Sequence, residues 1–122
     1  MISDGKSFEE RLEEMRAEYA STLKDKLIEV QRTFNLVASH STLDGVAVAL
    51  ADLRNQAHVL AGTAGSFGFS DIGKVSKKIE LQCQRLIEKG GMPTKADIEE
   101  ANLLVIALLE LGSNPCDGVK IN

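Results

Sequence analysis

The side chain with the clearest chemical potential in this sequence is the imidazole of His58, one of two histidines in the chain. Neutral imidazole presents a nitrogen with a free lone pair, so near neutral pH it can act as a nucleophile or as a base. In a helix with about 3.6 residues per turn, His58 lies about 140° from Leu53, the centre of the local apolar stripe. This position predicts a solvent-exposed ring. The residues that share its side of the helix are all small, namely Ala51, Ala61, Gly62 and Gly65.

Gly62 and Gly65 are unusual inside a predicted helix, because each glycine costs about 1 kcal/mol relative to alanine. One explanation is structural: the glycines allow close packing against another helix, or the helix frays at this end. The other explanation is functional: small residues clear a surface on which another protein can bring its reacting group to His58. The spacing alone does not decide between them, and a single exposed histidine on a helix is most often an ordinary surface residue.

The segment from His58 to Gly68, HVLAGTAGSFG, resembles the signature of the histidine phosphotransfer (HPt) domain family, His-x-Leu-Lys-Gly-x-x-Gly-x-x-Gly. It matches at the histidine, the leucine and all three glycines, and the similarity extends over the predicted helices from about Leu23 to Leu111. The one departure is Ala61, which stands where the family has a lysine. The resemblance assigns that lysine a part in holding the phosphoryl group or the acidic site of the partner. Its absence leaves the nucleophile in place but puts the transfer rate and the choice of partner in question.

Membership of this family would make the chain a phosphoryl carrier without its own ATP site, and not an enzyme. His58 would be the phosphoacceptor, loaded from a phospho-aspartate on one receiver domain and emptied onto another. The partners would be response-regulator receiver domains and an upstream hybrid histidine kinase. The sequence has no P-loop, no glycine-rich nucleotide loop and no acidic metal cluster. We therefore expect no cofactor in this chain and a Mg²⁺ ion on the partner receiver domain.

Two charged residues are candidates for supporting roles around the histidine. Glu80 in the following helix stands where HPt domains often have an acidic residue, and its carboxylate could orient the imidazole and stabilise the charge that the ring gains on attack. Arg54, one turn before His58, could contact an acidic receiver surface. The alternative for both is an ordinary solvated side chain. His40 lies between two serines, but this group lacks an acid, and we do not expect it to be functional.

Two other classes of protein remain open from the sequence. One is an HPt-like helical adaptor or regulator that binds a receiver or a kinase without phosphotransfer, and Ala61 is its only support. The other is the dimeric four-helix module of histidine kinases, which the lack of an accompanying ATP-binding domain disfavours.

The elements that must position these residues are predicted to be helices throughout. Apolar residues recur at spacings of three and four along several segments, as is typical of amphipathic helices. The first stripe runs from Phe8 to Val37 with Met15 as a core residue, and Ser21-Thr22 is its predicted break. The second predicted helix starts at Thr42 or Asp44 and ends near Gly68. The third runs from Ser70 to about Gly90, and the last runs from Lys95 to about Leu111. We predict an all-α fold, an antiparallel four-helix bundle with an additional short N-terminal helix.

Bulk composition limits the remaining possibilities. At 122 residues we expect one domain over 1–122, with a core from about 23 to 111 and a loose tail over 112–122. The net charge of −4 and the lack of a basic run argue against nucleic-acid and anionic-membrane partners. The N-terminus is polar, and the two cysteines, Cys83 and Cys116, are read as reduced thiols. We expect a cytoplasmic monomer.

Overall fold

The computed structural model describes residues 7–113, and these residues form a bundle of four helices. The helices are α1 (Phe8–Ser39), α2 (Leu43–Thr63), α3 (Ser70–Lys89) and α4 (Lys95–Ser113), with a short 3₁₀ turn (Gly65–Phe67) between α2 and α3. Because the connections are short, consecutive helices run antiparallel. The predicted all-α class and four-helix bundle are confirmed.

Local side-chain chemistry sets the helix ends. The Thr42 hydroxyl accepts a hydrogen bond from the first turn of α2, as one of the two predicted N-caps. Gly90 ends α3 with a φ of 74°, a left-handed conformation that favours glycine. Thr94 and Asp97 form the reciprocal pair at the start of α4: the Thr94 amide donates to the Asp97 carboxylate at 2.9 Å, and the Asp97 amide donates to the Thr94 hydroxyl at 3.0 Å.

The predicted additional N-terminal helix is not a separate element, because α1 is continuous from Phe8 to Ser39. The Ser21 hydroxyl donates to the Glu18 carbonyl at 2.7 Å, and the Thr22 hydroxyl donates to the Tyr19 carbonyl at 2.9 Å. Both polar side chains are therefore satisfied by the preceding turn of the helix and do not interrupt it.

The N-terminal part of α1 extends beyond the core. Met15, expected in the core, is 49% exposed, and Phe8 and Leu12 are exposed as well. The first partly buried side chains of α1 are Arg16 and Tyr19. The apolar stripe in the sequence is thus longer than the length of helix over which α1 packs.

The core is aliphatic and draws on all four helices. Its most buried large side chains include Leu23, Val30, Leu53, Leu60, Ile79 and Leu108. Cys83 belongs to the same core, as predicted, and burial raises the pKa of its thiol to about 12. Cys116 lies outside the described residues, as does the predicted tail from 114 onward. Gly112 and Ser113, predicted as the start of that tail, are the last residues of α4.

The helices α2 and α3 pack against each other in one antiparallel register. Arg54 Nη1 donates to Gln84 Oε1 at 3.0 Å, and His58 Nδ1 lies 2.9 Å from Glu80 Oε2. Further along, Gly73 of α3 lies against the end of α2, where a Cβ on it would be in ordinary contact with the turn, 3.5 Å from the backbone nitrogen of Gly65. Each step forward along α2 is matched by an equal step back along α3.

None of the helices in the described range 7–113 is long and apolar enough to cross a membrane.

Candidate functional site

The imidazole of His58 stands on the outer surface of α2, with its side chain 71% exposed. The ring is nevertheless held on one side, since Nδ1 lies 2.9 Å from Oε2 of Glu80. An ionised carboxylate can only accept a hydrogen bond, so this contact requires Nδ1–H as the donor. In the neutral ring the lone pair then lies on Nε2, which is the nitrogen available for reaction.

Glu80 is the less exposed partner of this pair, with 16% of its side chain accessible. Its other oxygen, Oε1, lies 3.4 Å from Nζ of Lys77, one turn earlier on α3. Burial alone raises the pKa of Glu80, but the hydrogen bonds from His58 and Lys77, with the charge of Lys77, bring the pKa below its ordinary value. The carboxylate is therefore ionised at neutral pH and able to hold the Nδ1 proton.

A shallow groove between α2 and α3 runs from this pair toward the 3₁₀ turn, with a volume of about 470 Å³. Its lining comprises His58, Ala61, Gly62, Gly65, Ser70, Gly73, Lys74, Lys77 and Glu80. The structure thus gathers His58, Glu80 and three of the four small residues at one place, whereas Ala51 lies outside this lining. The sequence reasoning missed Lys74 and Lys77, because several charged residues of α3 look alike without the register that brings only some of them to the groove.

The structure excludes one explanation for Gly62 and Gly65, namely close packing against another helix. Among residues 7–113, a Cβ added at either position would meet nothing within 4 Å, so neither glycine is needed for packing against this part of the chain. Gly65 was predicted to lie inside the helix, but it begins the 3₁₀ turn that follows α2. Glycine is favoured at position 68 for a different reason, since Gly68 ends the turn with a φ of 92° in the left-handed region.

The other candidate residues lie around or away from the groove. Arg54 is half-buried, and its guanidinium donates to Gln84 at 3.0 Å and to Asn55 at 3.4 Å, so it bridges the two helices one turn before the histidine. His40 is the C-cap of α1, beside the start of α2, and the structure does not bring it to the site.

The first helix supports the turn at the far end of the groove, a contribution that the sequence reasoning missed. Arg16 Nε donates to the Phe67 carbonyl at 3.0 Å, and the Tyr19 ring stacks on Phe67 with a centroid separation of 4.6 Å. The Tyr19 hydroxyl also shares a hydrogen bond of 2.8 Å with the Thr63 hydroxyl. These contacts fix the backbone that follows Gly65.

Together these features define a class of protein: a small helical bundle that presents one oriented, nucleophilic histidine beside an open groove. Within residues 7–113, no group of three or more histidine, cysteine, aspartate or glutamate side chains is placed to hold a metal ion. A protein-family comparison matches residues 6–112 to the Hpt domain. That match covers most of the chain, and the chain belongs to the Hpt domain family. No curated protein and no solved structure gives a significant match.

Proposed function

We propose that this chain is a phosphorelay histidine phosphotransfer protein that carries a phosphoryl group on Nε2 of His58. Members of the Hpt domain family are phosphocarrier modules of two-component signalling. The observation that supports the specific assignment is the exposed ring of His58, whose Nδ1 is engaged by Glu80 at 2.9 Å. This geometry leaves the nucleophilic nitrogen on the accessible side of the ring.

In the proposed transfer, the Nε2 lone pair attacks the phosphorus of an aspartyl phosphate on a receiver domain. The N–P bond forms as the P–O bond to the aspartate breaks, and the bonding pair leaves on the aspartate carboxylate. The ring gains a positive charge, which the carboxylate of Glu80 stabilises through the Nδ1 proton. Transfer to a second receiver aspartate reverses these changes. The chain would need no cofactor, because Mg²⁺ would be held by the receiver.

The partners we propose are response-regulator receiver domains and an upstream hybrid histidine kinase. The receiver would dock over the groove, where Ala61, Gly62 and Gly65 leave open space next to the histidine. Arg54, which bonds Gln84 one turn before His58, could pair with acidic groups of the receiver. We propose that the chain acts as a cytoplasmic monomer without its own ATP site.

The test compares the two histidines of the chain by the same substitution. Receiver domains charged with acetyl phosphate and Mg²⁺ are incubated with the parent, with His58→Gln and with His40→Gln, and labelling is read by intact mass. We expect labelling of the parent and of His40→Gln, with a bond that is acid-labile and alkali-stable, and none of His58→Gln. Circular dichroism checks that the variants are equally helical.

Two outcomes would contradict the proposal. Undiminished labelling of His58→Gln would place the phosphoryl group elsewhere. A parent chain that binds receivers but is labelled by none would favour the helical adaptor instead.

A further inference from the structure

A phosphoryl group on His58 creates an electrostatic problem that this chain must resolve. A phosphoryl group carries a charge of about −1.5 to −2 at neutral pH. It would stand beside the ionised carboxylate of Glu80, which already engages the ring. Among the side chains of residues 7–113 that line the groove, apart from the histidine itself, only Lys74 and Lys77 carry positive charge. Ala61, on the surface of α2 one turn after the histidine, supplies none.

The register of the two helices places Lys77 opposite Ala61. The pairs Arg54–Gln84 and His58–Glu80 show that four residues forward on α2 match four residues back on α3. Three residues forward from His58 therefore correspond to three residues back from Glu80. A cation on α3 thus faces the position where α2 has only a methyl group.

Lys77 is also free to change its contact. Its side chain is 55% exposed, and its present partner is Oε1 of Glu80 at 3.4 Å, a long ion pair. An exposed ion pair of this kind contributes little to stability and is readily exchanged. The flexible stem of lysine allows the ammonium to move from the glutamate to the oxygens of a phosphoryl group bound to the neighbouring imidazole. Arg54 is placed less well, because its guanidinium is engaged by Gln84 on the opposite side of His58 from Ala61.

We propose that Lys77 binds the phosphoryl oxygens of phospho-His58 and supplies, from α3, the positive charge that position 61 of α2 lacks. The proposal rests on the proposed function of His58. Lys77 makes and breaks no covalent bond. Its ammonium moves from the Glu80 carboxylate to the phosphoryl group and keeps its protons. Lys74, one turn further along the groove, is expected to contribute less.

The experiment uses the full chain with phosphoramidate as a small phosphodonor, so that no partner is needed. The donor's N–P bond breaks as the bond to Nε2 forms, and ammonia leaves. The variants are Lys77→Met, Ala61→Lys, the double variant, and Lys78→Met as a control that removes an exposed α3 lysine outside the groove lining. Labelling rates come from intact mass, and ³¹P NMR follows the phosphoryl group of the labelled protein over pH.

We expect Lys77→Met to be labelled about tenfold more slowly, the loss typical of one partly solvated hydrogen bond between charged groups. Its phosphoryl group should take up a proton at higher pH than in the parent, because the neighbouring positive charge is gone. Ala61→Lys should restore both properties in the double variant, while Lys78→Met should behave as the parent. A merely structural effect of Lys77→Met would lower the melting temperature and leave the ³¹P titration unchanged.

Three results would overturn the proposal. Lys77→Met could match the parent in rate and in ³¹P titration, which would leave Lys77 without a role. Lys78→Met could lose as much as Lys77→Met, which would show an effect of net charge only. A parent that is not labelled on His58 would refute the proposed function, and the assignment of Lys77 with it, whereas failure of the Lys77 variant alone would leave the proposed function intact.

Discussion

Replacement of Glu80 probes the contact on which the orientation of His58 depends. Glu80→Gln keeps the size of the side chain and removes its charge, whereas Glu80→Ala removes the acceptor altogether. We expect phosphorylation by a charged receiver to slow in both, and more in Glu80→Ala. In the parent, the carboxylate accepts from Nδ1 and faces the positive charge that the ring gains on attack. Neither variant should unfold the bundle, because the glutamate lies at the groove and not in the core.

The size of the effect follows from the geometry. A separation of 2.9 Å lies within the range of charge-assisted hydrogen bonds. Hydrogen bonds to charged groups contribute about 1.5–3 kcal/mol, and the 71% exposure of the ring places this one at the weak end. A loss of about 1.4 kcal/mol of transition-state stabilisation corresponds to a rate about tenfold lower. The glutamine variant should lose somewhat less, since its amide oxygen can still accept from Nδ1.

The assay measures initial rates of labelling by intact mass, with ¹⁵N NMR of the His58 ring to report which nitrogen carries the proton. Glu88→Gln is the matched control, because Glu88 lies on the same helix but accepts from Gln84 and does not touch the histidine. The hydrogen bonds from His58 and Lys77 lower the pKa of Glu80, so its carboxylate stays charged and the difference between parent and variant should persist throughout the neutral range. Equal rates and an unchanged ring tautomer in Glu80→Ala would refute the orienting role.

Three further predictions concern the groove and the bundle. Gly65→Leu should lower labelling by a receiver at least tenfold. It should leave labelling by phosphoramidate and the melting temperature close to those of the parent, since a Cβ at this position would meet none of residues 7–113 within 4 Å; equal loss of stability would contradict this. Asp97→Asn should lower the melting temperature at neutral pH. Because hydrogen bonds from Lys89 and Thr94 lower the pKa of Asp97, the deficit should shrink as pH falls below the unfolded-state pKa of about 3.9, and a deficit independent of pH would exclude this cause. Ser76→Ala should raise the free energy of unfolding in urea by roughly 1 kcal/mol, because the buried Ser76 hydroxyl has no hydrogen-bond partner among residues 7–113. A lower free energy of unfolding would show that the hydroxyl is satisfied in solution.

The sequence by itself determined the local features of this protein. Apolar spacing predicted the helices, and residues such as Thr42 and Gly90 predicted several of their ends, because both effects act over a few neighbouring residues. The same helical period predicted that His58 faces solvent, and the glycine motif around it led to the family that the comparison identifies. The break at Ser21-Thr22 was wrong because these hydroxyls bond back to their own helix.

Only the tertiary structure decided what surrounds the histidine. The period of a helix fixes which residues share a face, but it does not fix how far one helix slides along the next. That register depends on the packing of side chains distant in sequence, and here it brings Glu80 to His58 and places Lys77 and Ala61 in the lining of the same groove. The same packing leaves open space over Gly62 and Gly65, which no count of glycines in the sequence can distinguish from a tight helix contact. The chemistry of the histidine is local, and its surroundings are set by the register of α2 and α3.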